Sequence, residues 1–392
     1  MSKVAIIGGG IAGPVLAMAL QKAGFEAEIF EQYERTAEGV GSFMNIAPNG
    51  VDAVEGLGLG DLIRSVGTHT PAMAFYSRNG EKLTDDIPFD RDGGKGNTTL
   101  TRSALYVALR DEAVQRGIPI NYGKKFVDAI PGRDGVAIDF ADGTSTSASL
   151  LVGADGLYSR VRQTIDPLAS SPRYLGVLNA WGYVPSYPIS EAPGVIRMYF
   201  NRKCFFMFTH LESGELYWYA NPAREQRPFV DELQGGETWR SQMLALVRDE
   251  DSPAKDIIDA TPTMEAPFTN CDLPGVTRWS RGPMVLLGDA AHAASPTSGS
   301  GASIAMEDAV ILAKCLRDHQ ETAEALRLYE SIRRPRVESI VAQGHRHVRG
   351  NLAGPARAHA RDFFIKRKFA KSPKPLWTHH HHLDWDSPVT EA

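Results

Sequence analysis

At 392 residues the chain is long enough for two core-bearing units, and 43% hydrophobic with 23% charged residues is ordinary for a globular protein. A formal net charge of -5 gives no electrostatic basis for nucleic-acid binding. Cys204, Cys271 and Cys315 are scattered without metal-ligand spacing, and no apolar run approaches membrane-span length. A cytoplasmic protein is therefore expected, with no metal site, no secretory leader and no stable membrane insertion.

Residues 4–7 are a short apolar, β-branched run, the pattern of a buried parallel strand. It ends in Gly8-x-Gly10-x-x-Gly13, after which a helical pattern runs to Gly24. Gly8 permits a tight turn, Gly10 lets backbone approach a pyrophosphate, and Gly13 lets the helix pack close to the strand. Ile11 and Ala12 stand at the helix start, where unpaired N–H groups and a positive dipole end favour phosphate. A second strand, residues 26–30, delivers Glu31, placed to accept hydrogen bonds from an adenosine ribose. Arg35, just beyond, reads either as a solvated loop charge or as a phosphate contact.

The stretch from Asn45 to Asn49 leads into a short helix ending near Leu59, and residues 72–100 read as strands and turns. Arg102 opens a further helix to about Gln115, followed by a small set of strands over 118–149. Leu150–Val152 is a second buried strand that carries Asp155-Gly156 to its C-terminal end, where ligands of open α/β sheets bind. Asp155 as a simple cap for the helix that follows remains open.

Residues 176–274 differ in texture, with aromatic-rich runs at 195–200, 204–208 and 215–219 separated by turns. That is the signature of antiparallel hairpins, and such a sheet could wall an aromatic substrate cavity. Phe206, His210, Trp218 and Tyr219 are the pocket candidates, with His210 and Tyr219 open as general bases. A third buried strand, 284–287, runs through Gly288 into Asp289, then Pro296, Gly299-Ser300-Gly301-Ala302 and a helix to Leu316. Such an Asp can hold a polyol chain while the helix N–H groups face a developing anion. His292 reads as a structural histidine or as a general base. A basic helical segment with Arg361, Lys366, Arg367 and Lys368 interleaved with Phe363, Phe364 and Phe369 follows, expected to dock by its aromatic side, and then the tract His379–His382.

The three separated pieces, Gly8–Glu31, Asp155-Gly156 and Gly288-Asp289 with its glycine loop, point to one ligand. In this order they resemble the class A single-component FAD-dependent aromatic hydroxylases, the flavoprotein monooxygenases of the p-hydroxybenzoate hydroxylase kind. The resemblance spans residues 3–340 or so and implies an α/β fold. A Rossmann-like FAD-binding domain (1–71, 101–175 and 275–340) would carry an inserted mixed or antiparallel β-sheet substrate domain (72–100 and 176–274). A C-terminal helix and tail (341–392) would follow. By the resemblance Gly8, Gly10, Gly13 and Glu31 bind the ADP half of FAD, with Arg35 and Arg102 near its phosphates or ribityl. Asp155 supports the cofactor, Asp289 holds the ribityl hydroxyls, and Pro296, Gly299, Gly301 and Ala302 lie beside the isoalloxazine. Where relatives often carry Gly-Gln-Gly-x-Asn, this chain has Gly299-Ser300-Gly301-Ala302-Ser303, which leaves backbone rather than side-chain contacts. The halogenase signature Trp-x-Trp-x-Ile-Pro is absent. The implied activity is NADPH- or NADH-consuming insertion of one atom of O2, through a flavin C4a-hydroperoxide, into an aromatic or polyketide-like molecule, with no protein nucleophile required. A flavin dehydrogenase or reductase without oxygen insertion is the alternative, and a monomer or weak homo-oligomer is expected.

Overall fold

The computed structural model describes residues 3–34, 42–89, 96–133, 135–189, 192–351, 355–369 and 377–389. At its centre lies a five-stranded parallel sheet in the order β18 (Met284–Leu286), β12 (Leu150–Gly153), β1 (Lys3–Ile7), β2 (Glu26–Phe30) and β8 (Ile120–Asn121). β12 and β18 are buried at every position and β1 at all but Lys3, because helices cover the sheet. Hence these strands read as unbroken apolar runs rather than alternating ones.

α1 (Ala12–Lys22) returns along the sheet and packs on α9 (Gly301–Asp318), whose residues Ser303–Leu316 are all buried. α2 (Pro48–Glu55) crosses α9 and leads into α3 (Gly60–Ser65). α4 (Arg102–Gln115) starts where Thr101 Oγ1 accepts a hydrogen bond from Ala104 N (3.1 Å), a conventional cap. α5 (Arg160–Ile165) follows β12. Two three-stranded sheets flank this layer. One orders β11 (Ser145–Ala148), β10 (Val136–Phe140) and β9 (Phe126–Pro131); the other orders β3 (Phe43–Ile46), β7 (Asn97–Thr101) and β4 (Thr68–Thr70).

The aromatic-rich region forms a seven-stranded mixed sheet, β17 (Phe268–Asp272), β13 (Arg173–Val184), β16 (Leu216–Pro222), β15 (Cys204–His210), β14 (Val195–Phe200), β5 (Ala72–Tyr76) and β6 (Ile87–Pro88). Only the β5–β14 pair is parallel. One face packs against α6 (Glu237–Val247) and α7 (Ala254–Ala260) in a second core that contains Leu178, Phe206, Phe208, Trp218, Trp239 and Ile257. Since side chains alternate along a strand, Asn179, Trp181, Met207, Tyr217, Tyr219 and Asn221 occupy the opposite face.

α8 (Asp289–His292) is a single turn after β18, and α10 (Thr322–Asn351) packs along α9. α11 (Pro355–Phe369) docks on the mixed sheet through Ile365, Phe369 and the Arg361 guanidinium over Phe200 (4.1 Å). Of the three expected aromatics Phe369 docks, 5.9 Å from the Phe75 ring, whereas Phe363 and Phe364 are 59% and 66% exposed. Residues 377–389 then strap back over α2 and α9. The Asp52 carboxylate accepts from Leu383 N (2.9 Å) and lies 2.8 Å from His382 Nδ1, and Arg317 donates to the Trp385 carbonyl (2.5 Å). The Trp385 ring sits between Lys22 and Arg317, against Gly56. No helix among the described residues is long and apolar enough to cross a membrane.

Candidate active site

Gly8 follows β1 with φ +111°, and a Cβ there would run into the Ala154 carbonyl, so the turn requires glycine. A Cβ on Gly13 would overlap the Gly8 carbonyl oxygen, so α1 can approach β1 this closely only without a side chain. At Gly10 a Cβ would meet nothing within 4 Å. The first two glycines thus serve the chain's own packing, while Gly10 keeps an open approach. Ile11, preceding α1, gives the helix no side-chain cap, which leaves its first N–H groups for a ligand. Glu31 is held by Gly9 N on Oε2 (2.8 Å) and Tyr33 N on Oε1 (3.0 Å), which orients its carboxylate at the end of β2.

Asp155 accepts from Ser159 Oγ (2.5 Å), Arg160 N (2.7 Å) and Val161 N (3.1 Å), so its side chain caps α5. Burial raises its carboxyl above the ordinary range, against those hydrogen bonds. Its neighbours Ala154 and Gly156, rather than Asp155 itself, face the main cavity.

Past β18, Gly288 N donates to Asp308 Oδ2 (3.0 Å), which also lies 2.5 Å from His292 Nε2. Arg333 donates from Nε to Asp308 Oδ1 (2.6 Å) and pairs with Glu307 (2.7 Å); Glu307 also takes Asn49 Nδ2 (2.7 Å) and Arg336. This buried ionic cluster pins the turn from behind, and His292 is a structural histidine within it. Asp289 points the other way, into the cavity, and accepts no hydrogen bond from the described residues. The protein packed around the cavity desolvates it and pushes its carboxyl up, with His292 and Arg102 opposing, although the side chain itself stands open in the cavity. After Pro296, Gly299 adopts φ +63°, and α9 begins at Gly301 with Ser300 forming no side-chain cap. A second helix N-terminus therefore opens into the same space.

That space is a cavity of about 700 Å³. It brings together Gly10, Ile11, Ala12, Arg102, Asp289, Pro296, Gly299, Gly301, Ala302 and, across from them, Tyr219. Gly8, Gly13, Glu31 and Asp155 stand outside its lining, and Arg35 lies outside the described residues.

The pocket candidates need correction. Phe206 and Trp218 are both 0% exposed, stacked on each other at 5.6 Å on the outer face, with Trp218 Nε1 donating to Thr261 Oγ1 (2.9 Å). His210 shares their strand parity and does not line the cavity. Sequence reasoning missed Trp181, Met207 and Phe268, which do line it. Strand parity is the signal that could have found the first two, once one inward residue such as Tyr219 is known.

Tyr219 donates to Asn179 Oδ1 and accepts from Asn221 Nδ2 (2.9 Å). Asn179 Oδ1 also takes Asn270 Nδ2 (2.8 Å), and Asn270 and Asn221 bond to Ser295 and Thr297 beside Pro296. Burial, outweighing the Asn221 and Thr297 contacts, pushes the phenol up to about 12. Tyr219 is thus held as a neutral hydroxyl between Asn179 and Asn221.

The arrangement fits FAD. An open glycine approach and an uncapped helix suit a pyrophosphate, a carboxylate open to the cavity and free of protein hydrogen bonds suits ribityl hydroxyls, and a second uncapped helix suits an electron-rich ring edge. A family model described as FAD binding domain matches residues 1–344. The chain is 31% identical over 353 residues, 88% of each chain, to the aurachin C monooxygenase/isomerase of Stigmatella aurantiaca. It is 28% identical over 354 residues to an FAD-dependent urate hydroxylase of Klebsiella pneumoniae, covering 88% of this chain and 89% of the relative. The solved structure of Klebsiella pneumoniae HpxO complexed with FAD and uric acid superposes with a TM-score of 0.84 at 26% identity, over 94% of each chain. The chain belongs to the FAD-binding domain family and, within it, to the class A flavoprotein monooxygenases, the FAD-dependent aromatic hydroxylases.

Proposed function

We propose that this monooxygenase consumes NADH or NADPH and inserts one atom of O2 into a small aromatic substrate held between the glycine loop at Pro296–Gly301 and the mixed sheet. The observation that carries this is a single cavity shared by the dinucleotide-type helix ends and an aromatic wall. FAD held there supplies hydride acceptance and oxygen activation. The named relatives act on aurachin C chemistry and on urate, which supports an aromatic substrate here.

The protein's part is positional. Asp289 would accept hydrogen bonds from ribityl hydroxyls, and Arg102 stands close enough to oppose its charge. The N–H groups at the start of α9 would stabilise negative charge on the reduced ring edge without side chains. Gly10, with Ile11 and Ala12, would take the pyrophosphate, and Glu31 the ribose. Asp155 would act through the backbone of Ala154 and Gly156. Trp181, Met207 and Tyr219 close the far side, excluding water and setting the distance between the accepting carbon and the cofactor. The work divides as FAD-binding segments 1–71, 101–175 and 275–340, and substrate-sheet segments 72–100 and 176–274. Three buried free cysteines suit a cytoplasmic setting, where reduced nicotinamide is supplied.

Rapid-mixing reduction of the bound flavin by NADPH and by NADH, across a panel of phenols, quinolones and purines, tests this reading. An arene that accelerates reduction many-fold supports it. Failure of both coenzymes to reduce the flavin with every arene counts against it.

A further inference from the structure

We propose that the substrate is an uncharged, flat, apolar arene without a carboxylate, oriented by an N–H or O–H that it donates toward Glu265. This rests on the monooxygenase reading above and sharpens it. On the sheet side the cavity wall is Trp181, Met207, Tyr219 and Phe268, faced by Phe43 and Met44. Indole, phenyl and thioether surfaces of this kind favour a flat apolar ring.

The ionic side chains lining the cavity among the described residues are Arg102, Asp289 and Glu265. Arg102 and Asp289 lie within each other's field on the parallel-sheet side, so the single cation already faces an anion. Glu265, between α7 and β17, is the only charge on the sheet side among the described residues, and it is negative. Among the described residues that wall carries no cation to neutralise a carboxylate, and its Trp181 indole N–H is an uncharged donor. Tyr219 spends its proton on Asn179, and Asn221 and Asn270 are committed to one another's network. An arene carboxylate would lose its water against Trp181 and Met207 with no cation to pair with and with Glu265 repelling it. A neutral ring bearing an N–H or O–H would instead donate a charge-assisted hydrogen bond to the same Glu265.

The test is equilibrium dialysis of the FAD-loaded enzyme against two matched pairs, 2-naphthol with 3-hydroxy-2-naphthoate, and 4-hydroxyquinoline with its 2-carboxylate. The neutral member of each pair should bind at least ~30-fold tighter. Met207→Arg, which adds a cation to the middle of the wall, should move that preference about tenfold or more toward the carboxylates. Equal or tighter binding of the carboxylates by the unmodified enzyme overturns the proposal, as does dialysis in which neither member of either pair binds. The flavin absorbance of the same sample separates the two levels: protein that takes up no FAD overturns the cofactor reading instead.

Discussion

Two glycines three positions apart should fail in opposite ways. A methyl at Gly13 would fall well under 3.0 Å from the Gly8 carbonyl oxygen, with Ile6 Cγ2 at 3.5 Å, so rigid backbone lies on the near side and core on the other. Relief requires α1 to move off β1. Overpacking of this kind costs typically ~1–3 kcal/mol, and the lack of a flexible neighbour puts Gly13→Ala at the upper end. At a urea slope of ~3 kcal/mol per M the midpoint of the FAD-free protein should fall by about 1 M. Gly10→Ala meets nothing within 4 Å and should leave that midpoint unchanged. It should, however, displace the pyrophosphate from the α1 N-terminus. Losing about two charge-assisted bonds at ~1.5 kcal/mol each weakens FAD binding roughly 100-fold. Urea unfolding of FAD-free protein and flavin fluorescence titration read the two effects separately. A Gly10→Ala protein that binds FAD as the unmodified one does, or a Gly13→Ala protein of undiminished stability, would refute the assignment of open and closed glycines.

Asp289→Ala should weaken FAD binding about tenfold to 100-fold with little change in FAD-free stability, since the carboxylate bonds to no described residue; a titration showing full affinity contradicts its role. Burial would raise the Asp308 carboxyl, but His292 and Arg333 outweigh it and hold it down to about 2. Because the unfolded group titrates near ~3.9, its stabilising contribution is complete above about pH 4 and lost as pH falls through about 2. Asp308→Asn should lower neutral-pH stability by ~3–5 kcal/mol and flatten the acid side of the stability profile, checked by urea midpoints across pH. Tyr219→Phe should cost only about 1 kcal/mol, because Asn179 and Asn221 keep their bonds to each other, to Asn270 and to Thr297, and it should leave the pH dependence of turnover unmoved between about pH 6 and 9. A displaced pH profile would restore Tyr219 as a base.

The cofactor end was legible because its constraints are local. Val4–Gly13 is read from turn geometry and close packing within a few residues, and β12 and β18 declare themselves as apolar runs ending in Asp155 and Asp289. The substrate wall was not, for a physical reason. Phe205, Phe206, Met207 and Phe208 are apolar on both parities because α6 and α7 cover one face and the rest of the fold covers the other. With no polar face, alternation alone cannot say which residues look into the cavity, so Phe206 and Trp218 read as wall residues although Trp181 and Met207 line it. The Asn179–Asn221–Asn270 network joins residues 42 and 91 positions apart, and the Asp52–His382 contact spans 330, distances over which spacing carries no signal. Asp155 shows the converse, a well-placed acid whose own hydrogen bonds turn out to cap α5.

Turnover under ¹⁸O₂ with reduced nicotinamide and an arene selected by the dialysis pairs tests the central claim most directly. The account predicts a product carrying one labelled oxygen, formed only in the presence of O2. Product whose new oxygen comes from water, or oxidation that proceeds undiminished without O2, would contradict it.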